Sequence, residues 1–182
     1  MTIESSNKNI GVLYGLINAG AAIVFTVILY LCGAKTFVSP VAYIGRCIPL
    51  VICVLGGLQY RKQLGGYMEF SEALKITFQI LVIGSLGATI FQFVLFNYID
   101  VPFRQAVAQA SIPSVERFLR WLGMPDEQID KAVEETLNEN NYTIGRLLMG
   151  FVLGCIGLFI VSLIVSVFIK RKRPPFENTF NQ

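Results

Sequence analysis

Three stretches of this chain carry no charge for long enough to cross a lipid bilayer: residues 9–34, 76–99 and 147–169. A helix needs about 20 apolar residues to span the hydrocarbon core, and it must satisfy its own backbone groups because lipid offers no partners. The stretches are rich in Leu, Ile, Val and Phe and are longer than the elements of a water-soluble core. A fourth, at 41–60, is interrupted by Arg46 and contains Pro49, which removes one backbone donor. Arg46 lies near one end, where its long side chain can reach the headgroups. Composition agrees: 54% of residues are hydrophobic, 15% are charged and the mean hydropathy is +0.60, whereas a soluble domain carries roughly 25% charge. The expected fold class is an all-α integral membrane protein, one membrane domain over residues 1–182. Its four transmembrane helices fall at about 10–32, 41–60, 74–98 and 145–169.

The first stretch does not read as a cleaved leader. Its apolar region is longer than a signal peptide's, Glu4 joins Lys8 ahead of it, and no small-x-small cleavage pattern follows. Cys32 follows Leu31, not the small residue that a lipoprotein acylation site requires. Basic residues set the orientation. Lys170-Arg171-Lys172-Arg173 abuts the last crossing within a tail at 170–182, and Arg61-Lys62 and Lys75 flank the turn between crossings two and three. These ends are expected to be cytoplasmic, together with the N-terminus, in a bacterial inner membrane. Residues 100–143 then lie outside.

That outer segment is far longer than the 2–8 residues that join neighbouring helices in a bundle. It is expected to hold a helical hairpin. Ser114 is placed to cap a short helix over 115–122, with Gly123 and Pro125 stopping it. A second helix starts at Asp126 or the residue before it, carries Ile129, Val133 and Leu137 as an apolar stripe, and ends at Asn138-Glu139-Asn140-Asn141. Acidic residues outnumber basic ones here, so charge does not hold the hairpin on an anionic leaflet. Phe118 and Trp121, with Leu119 and Leu122, can dip into the membrane interface, where Trp is favoured, pack the hairpin against the helix tops, or form a docking surface for an envelope partner.

Within the bilayer, small residues recur at packing spacing: Gly11, Gly15 and Ala19, then Gly84 and Ala88, then Gly150 and Gly154. Helices gain little by hydrophobicity inside lipid, so close backbone approach at such positions drives association. The stripes serve either the bundle itself or a homodimer or partner helix. Pro49 with Gly56-Gly57 is expected to kink the second crossing. No ionisable residue falls near a midplane, which argues against gradient-coupled transport. The polar residues inside are Asn18, Thr26, Thr77, Gln79, Ser85, Thr89, Gln92 and Ser162. Arg46 and Arg146 fall at the outer interface, where each can hold a lipid phosphate or pair with a carboxylate such as Asp100.

Histidine is absent, which excludes imidazole-based catalysis and the metal sites that depend on it. Cys32, Cys47, Cys53 and Cys155 show no C-x-x-C spacing and read mainly as small apolar residues, with a Cys32–Cys47 disulfide the one pairing to consider. Glu69 and Glu72 precede the third crossing, where Ser71 is placed to cap the helix and Glu72 to favour its positive end. No catalytic residue, cofactor or metal site is expected, and the basic tail reads as a topology anchor in contact with anionic lipid, not a nucleic-acid patch.

Gly65-Gly66-Tyr67-Met68-Glu69-Phe70-Ser71-Glu72-Ala73-Leu74-Lys75, and again Leu122-Gly123-Met124-Pro125-Asp126-Glu127-Gln128-Ile129, resemble a bacterial membrane family known as domain of unknown function 4199, found mainly in the Bacteroidota. The resemblance covers nearly the whole chain. It implies an inner-membrane address and the same order: two crossings, a glycine-rich turn, a third crossing, a long outer helical loop and a fourth. It implies no catalytic residues. Pro125 stands where a Ser-type cap is expected. The functional expectation is a non-enzymatic subunit or scaffold of an envelope complex, with a small dimeric transporter or lipid-handling protein as the alternative.

Overall fold

Helices dominate the chain because the bilayer leaves a backbone few other ways to pair its polar groups; the computed structural model is 88% helical. It describes residues 2–45, 47–137 and 143–171, so Arg46, the Asn138–Asn141 cluster and the tail from Lys172 onward lie outside the described residues. Four spans are long and apolar enough to cross: Ile10–Leu31, Pro40–Gln63, Phe70–Ile99 and Ile144–Ile169. At most 22% of the most apolar window of any of them is buried within the protein. A chain that leaves so much apolar surface open, Phe168 being 81% exposed, needs lipid to cover it.

The first helix, α1 (Thr2–Leu31), begins ahead of its apolar stretch. Gly33, at φ +91°, turns the chain into two short helices, α2 (Ala34–Phe37) and α3 (Pro40–Ile44), before α4 (Cys47–Gln63) completes the second crossing. The expected kink at Pro49 and Gly56-Gly57 is therefore misplaced. The helix is interrupted instead after Ile44, where a Cβ on Gly45 would overlap the Phe25 ring. Pro49 sits in the first turn of α4, whose N–H groups have no helical acceptor in any case. Gly56 and Gly57 are buried packing points: an added Cβ would lie 2.6 Å from Ile80 Cδ1 and 2.7 Å from Ile169 Cδ1 respectively.

The turn after α4 is built from its two glycines. Gly66 N–H donates to Arg61 O at 3.0 Å and Gly65 N–H to Lys62 O at 3.2 Å, with φ +90° and +80°; these crossed bonds satisfy the last carbonyls of the helix. Helix α5 (Phe70–Val94) follows, and its cap differs from expectation: the N-cap is Glu69, whose backbone N–H donates to Glu72 Oε2 at 3.1 Å, and not Ser71. Glu72 reaches back from the third helical position, which closes a capping box two residues earlier than the serine would.

Helix α5 is the centre of the bundle, packing against α1, α4 and α8 (Ile144–Ile169). Its cluster of Ala73, Ile76, Ile80 and Leu81 meets Cys53, Val165 and Ile169 in a core at the basic end. There Met68 and Arg171 exchange two backbone hydrogen bonds of 2.9 Å, and Arg61 Nη1 donates to Ile169 O at 3.0 Å. Thr77 Oγ1 and Ser166 Oγ lie 3.0 Å apart, joining α5 to α8 inside the protein.

The opposite end differs most from the sequence reading. A π-helical turn, Leu95–Ile99, ends the third crossing, and Asp100 then caps α6 (Val101–Trp121), a helix of 21 residues where a short one over 115–122 was expected. Ser114 is inside it, not at its start. Asp100 and Pro102 supply the cap and the first-turn proline that begin the helix upstream, and Pro113 is accommodated within it. Gly123 ends α6 as expected, at φ +76°, with Met124 N–H donating to Leu119 O at 3.1 Å. Helix α7 (Asp126–Leu137) starts on the Pro125 carbonyl, which accepts from Gln128 N–H at 2.9 Å. Pro125 thus replaces the expected serine by offering its carbonyl alone. Helices α6 and α7 pack on each other as the hairpin.

Candidate functional site

Three features of the hairpin half bear on function. The first is the junction between crossings. Asp100 Oδ1 accepts from Phe103 N–H at 2.8 Å and Oδ2 from the Tyr30 hydroxyl at 2.9 Å, so this carboxylate ties α1 to the start of α6. Tyr30 and Phe37 meet the Phe103 ring edge-on at 4.7 and 5.6 Å, and Phe96 stacks on it at 6.3 Å. Arg104, which the sequence reading passed over, is buried beside them and donates to Asn97 Oδ1 at 3.4 Å. Its position one turn after a capping Asp was the available signal. Asp100, expected as a partner for an interfacial arginine, is instead a cap and an inter-helix clasp.

The second feature is the hairpin surface. Phe118 and Trp121 do not pack against the helix tops; they stack on each other, 6.2 Å apart and inclined by 26°, with Trp121 79% exposed. Leu122 is exposed beside them. The buried residues of α6, Arg104, Val107 and Ala108, all lie in its first half. The bundle grips the helix near its root and leaves the far end open.

The third is a groove between α5 and α8. The small-residue stripes behave unequally. On α1, a Cβ at Gly11 would lie 2.5 Å from Gln79 Oε1 and one at Gly15 would lie 2.7 Å from Ile83 Cβ, so these glycines admit α5. The facing positions on α5 are Gly84, against Asn18, and Gly87, against Ala19, so Gly87 takes the place expected of Ala88. Asn18 is buried with its Oδ1 without a hydrogen-bond partner among the described residues. Gly150 and Gly154 differ: nothing lies within 4 Å of an added Cβ at either, nor at Gly157. Gly150 and Gly154 line an open groove of about 360 Å³ together with Ser85, Thr89 and Gln92 of α5 and Arg146 and Leu158 of α8.

Ser85, Thr89 and Gln92 recur at i, i+4 and i+7 and so share one face of α5. Arg146, Gly150 and Gly154 share one face of α8 for the same reason. The hydroxyls of Ser85 and Thr89 donate to Val82 O at 3.1 Å and Ser85 O at 2.9 Å, so both protons are spent within α5 itself. The polar residues were visible in the sequence, but their shared face gained meaning only when α8 left it uncovered.

A larger cavity of about 1030 Å³ opens at the basic end, where the Glu69-Glu72 cap faces Lys170 and Arg171. Lys170 Nζ lies 5.7 Å from the Phe70 ring centroid. Among the described residues no three His, Cys, Asp or Glu side chains converge as metal ligands, and all four cysteines, Cys32 and Cys47 included, are free thiols.

Four apolar spans, three of them packed on a central α5, define a multi-pass α-helical membrane protein. Within that class, the chain belongs to the family described as Protein of unknown function (DUF4199), whose model matches residues 13–171. No curated protein and no solved structure matches it.

Proposed function

We propose that this chain is a non-enzymatic subunit or scaffold of an envelope assembly in the bacterial inner membrane, with both termini cytoplasmic and the α6–α7 hairpin outside. The observation that carries the reading is the stacked, exposed Phe118–Trp121 pair on the far end of α6, beyond the half that the bundle buries. Aromatic side chains left open on a rigid element are characteristic of protein contact surfaces. The orientation is supported by the gathering of Arg61, Arg171 and Lys170 at the opposite end of the bundle, in line with the preference of basic residues for the cytoplasmic side.

Affinity purification from the native host after crosslinking, with mass spectrometry of partners and crosslink positions, tests this. A stoichiometric partner crosslinked to α6–α7 and lost in Trp121→Ser is the expected result. Self-crosslinks alone would overturn it. The groove favours a second reading, a small dimeric transporter or lipid-handling protein, and movement of a labelled lipid by the purified chain in liposomes would support that reading over the first.

A further inference from the structure

We infer that the cavity at the basic end of the bundle holds the headgroup of one zwitterionic phospholipid, with its phosphate at Arg171 and Lys170 and its ammonium at Glu69 and Glu72. The ligand chemistry is a phosphoethanolamine group, and the bilayer is its source. Such a site needs no protein partner and no movement of lipid, so it stands apart from both functional readings.

Charges of both signs line this cavity of about 1030 Å³: Lys170 and Arg171 just past the end of α8, Glu69 and Glu72 at the start of α5. None of the four makes an ion pair with another. The backbone holds the two walls in place. Met68, 2% exposed, and Arg171 exchange two hydrogen bonds of 2.9 Å, so the chain just before Glu69 is fastened to the chain just after Lys170. Glu72 is oriented by the capping box, in which its Oε2 accepts from Glu69 N–H at 3.1 Å. Lys170 Nζ lies 5.7 Å from the Phe70 ring centroid, a contact that leaves its N–H donors unused. The bonds of Arg171 to Met68 are made by its backbone, and its guanidinium has no hydrogen bond or ion pair among the described residues. The Ser71 hydroxyl, left unused because Glu69 is the cap, lines the same cavity.

The spans fix the depth of the cavity. The third crossing begins at Phe70 and the fourth ends at Ile169, so these charges stand where hydrocarbon gives way to headgroups. Ligand pockets run from about 300 to 1,000 Å³, and a cavity at the top of that range is too large for a lone ion. A purely anionic headgroup would meet two carboxylates, and a metal cation would meet two positive charges, so each would face repulsion from one wall. A phosphoethanolamine group sets one charge of each sign beside two of the opposite sign. Arginine is suited to the phosphate because its planar fork donates two parallel bonds. The ammonium carries N–H donors enough for both carboxylates, and Ser71 can donate to a remaining phosphate or ester oxygen. Leu64 and Phe70 give the cavity apolar surface for the glycerol end of the lipid. A free amino acid bears the same two charges but would fill only a fraction of the space.

The test uses the full chain in nanodiscs of equal phosphatidylethanolamine and phosphatidylglycerol, released for native mass spectrometry to identify and count the lipid retained per chain. The expected result is one phosphatidylethanolamine, preferred over phosphatidylglycerol roughly tenfold, about the effect of one charge-assisted bond. Glu69→Gln combined with Glu72→Gln keeps a side-chain acceptor at both positions of the capping box and should lose that preference. Arg171→Gln leaves the backbone bonds to Met68 in place and should weaken retention of either lipid roughly tenfold. Lys62→Gln, exposed at the same end but outside the cavity, should change neither. A preference that survives the loss of both carboxylates would overturn the site, as would unchanged retention in Arg171→Gln. Should the double variant fail to fold, the comparison of Arg171→Gln with Lys62→Gln still decides. Displacement of the lipid by glycerophosphoethanolamine at matched concentration would give the cavity to a soluble phosphodiester and overturn the lipid source. A variant ending at Arg171 that retains lipid where the full chain retains none would give the cavity to the chain's own tail and equally overturn the assignment.

Discussion

Substituting alanine for Gly15 and for Gly154 in separate variants should give opposite results, although both glycines belong to small-xxx-small stripes. At Gly15 the new Cβ would lie 2.7 Å from Ile83 Cβ and 2.9 Å from its Cγ2. Carbon atoms rest about 3.5–4.0 Å apart at optimal contact, so α1 and α5 must part by about 1 Å or Ile83 must leave its rotamer. A gap of that size forfeits up to about half of each dispersion contact it spans. Overpacking of this kind costs about 1–3 kcal/mol. At Gly154 no atom lies within 4 Å and no such cost arises. Both variants gain the same intrinsic helix preference of alanine over glycine, about 1 kcal/mol in water, and that gain cancels between them. The difference is therefore packing alone, about 1–3 kcal/mol, or roughly 2–12 °C in melting temperature for a chain of this size. Thermal unfolding of the detergent-solubilised monomer, followed by size-exclusion chromatography, measures it. Equal melting temperatures would refute the assignment of the α1 stripe to the bundle and the α8 stripe to its outside.

Asp100→Ala removes the cap of α6 and the acceptor for Tyr30, and should cost about 1–2 kcal/mol, with faster hydrogen exchange at the amides of Phe103 and Arg104. Tyr30→Phe leaves the cap and should cost less, with those amides still protected. Thr77→Val and Ser166→Ala, combined in a double-mutant cycle, should show a coupling of about 0.6 kcal/mol, the usual size for a hydrogen bond between membrane helices; a coupling near zero would mean that the two hydroxyls do not meet. Gly123→Ala places a side chain at φ +76° with open space around it, so its cost is conformational, about 1–2 kcal/mol, and should appear as faster proteolysis at the α6–α7 turn with the transmembrane core unaffected.

Three of the four crossings were legible because the bilayer imposes one requirement, an uncharged run of spanning length, that a single chain displays without any partner, and the fourth because Arg46 lies near the end of its apolar stretch. The two Gly-based helix ends were legible for a related reason: Gly65-Gly66 and Gly123 follow their helices where a left-handed residue is needed, and that need is local. The start of α6 was not, because Ser114 looked like a cap and the competing cap, Asp100, lay fifteen residues before the expected helix, at the end of a crossing. Its tie to Tyr30, seventy residues away in sequence, is what fixes it there. Pro49 misled similarly, since a proline in a first turn and a proline in a helix middle differ only in where the helix begins.

The sequence by itself therefore determined the class of this protein, its spans and the positions where backbone can approach backbone, since each of these depends on residues adjacent in the chain. Tertiary structure alone decided which glycine stripes are filled. Gly11, Gly15 and Gly154 offer the same missing side chain, and whether a neighbour enters that space depends on how α1 and α8 each lie against α5. Helix α8 meets α5 closely at Thr77–Ser166 and leaves Ser85, Thr89 and Gln92 uncovered nearer the hairpin. The groove exists because two helices that touch at one end need not touch at the other, a property of their relative placement that no residue in either encodes alone.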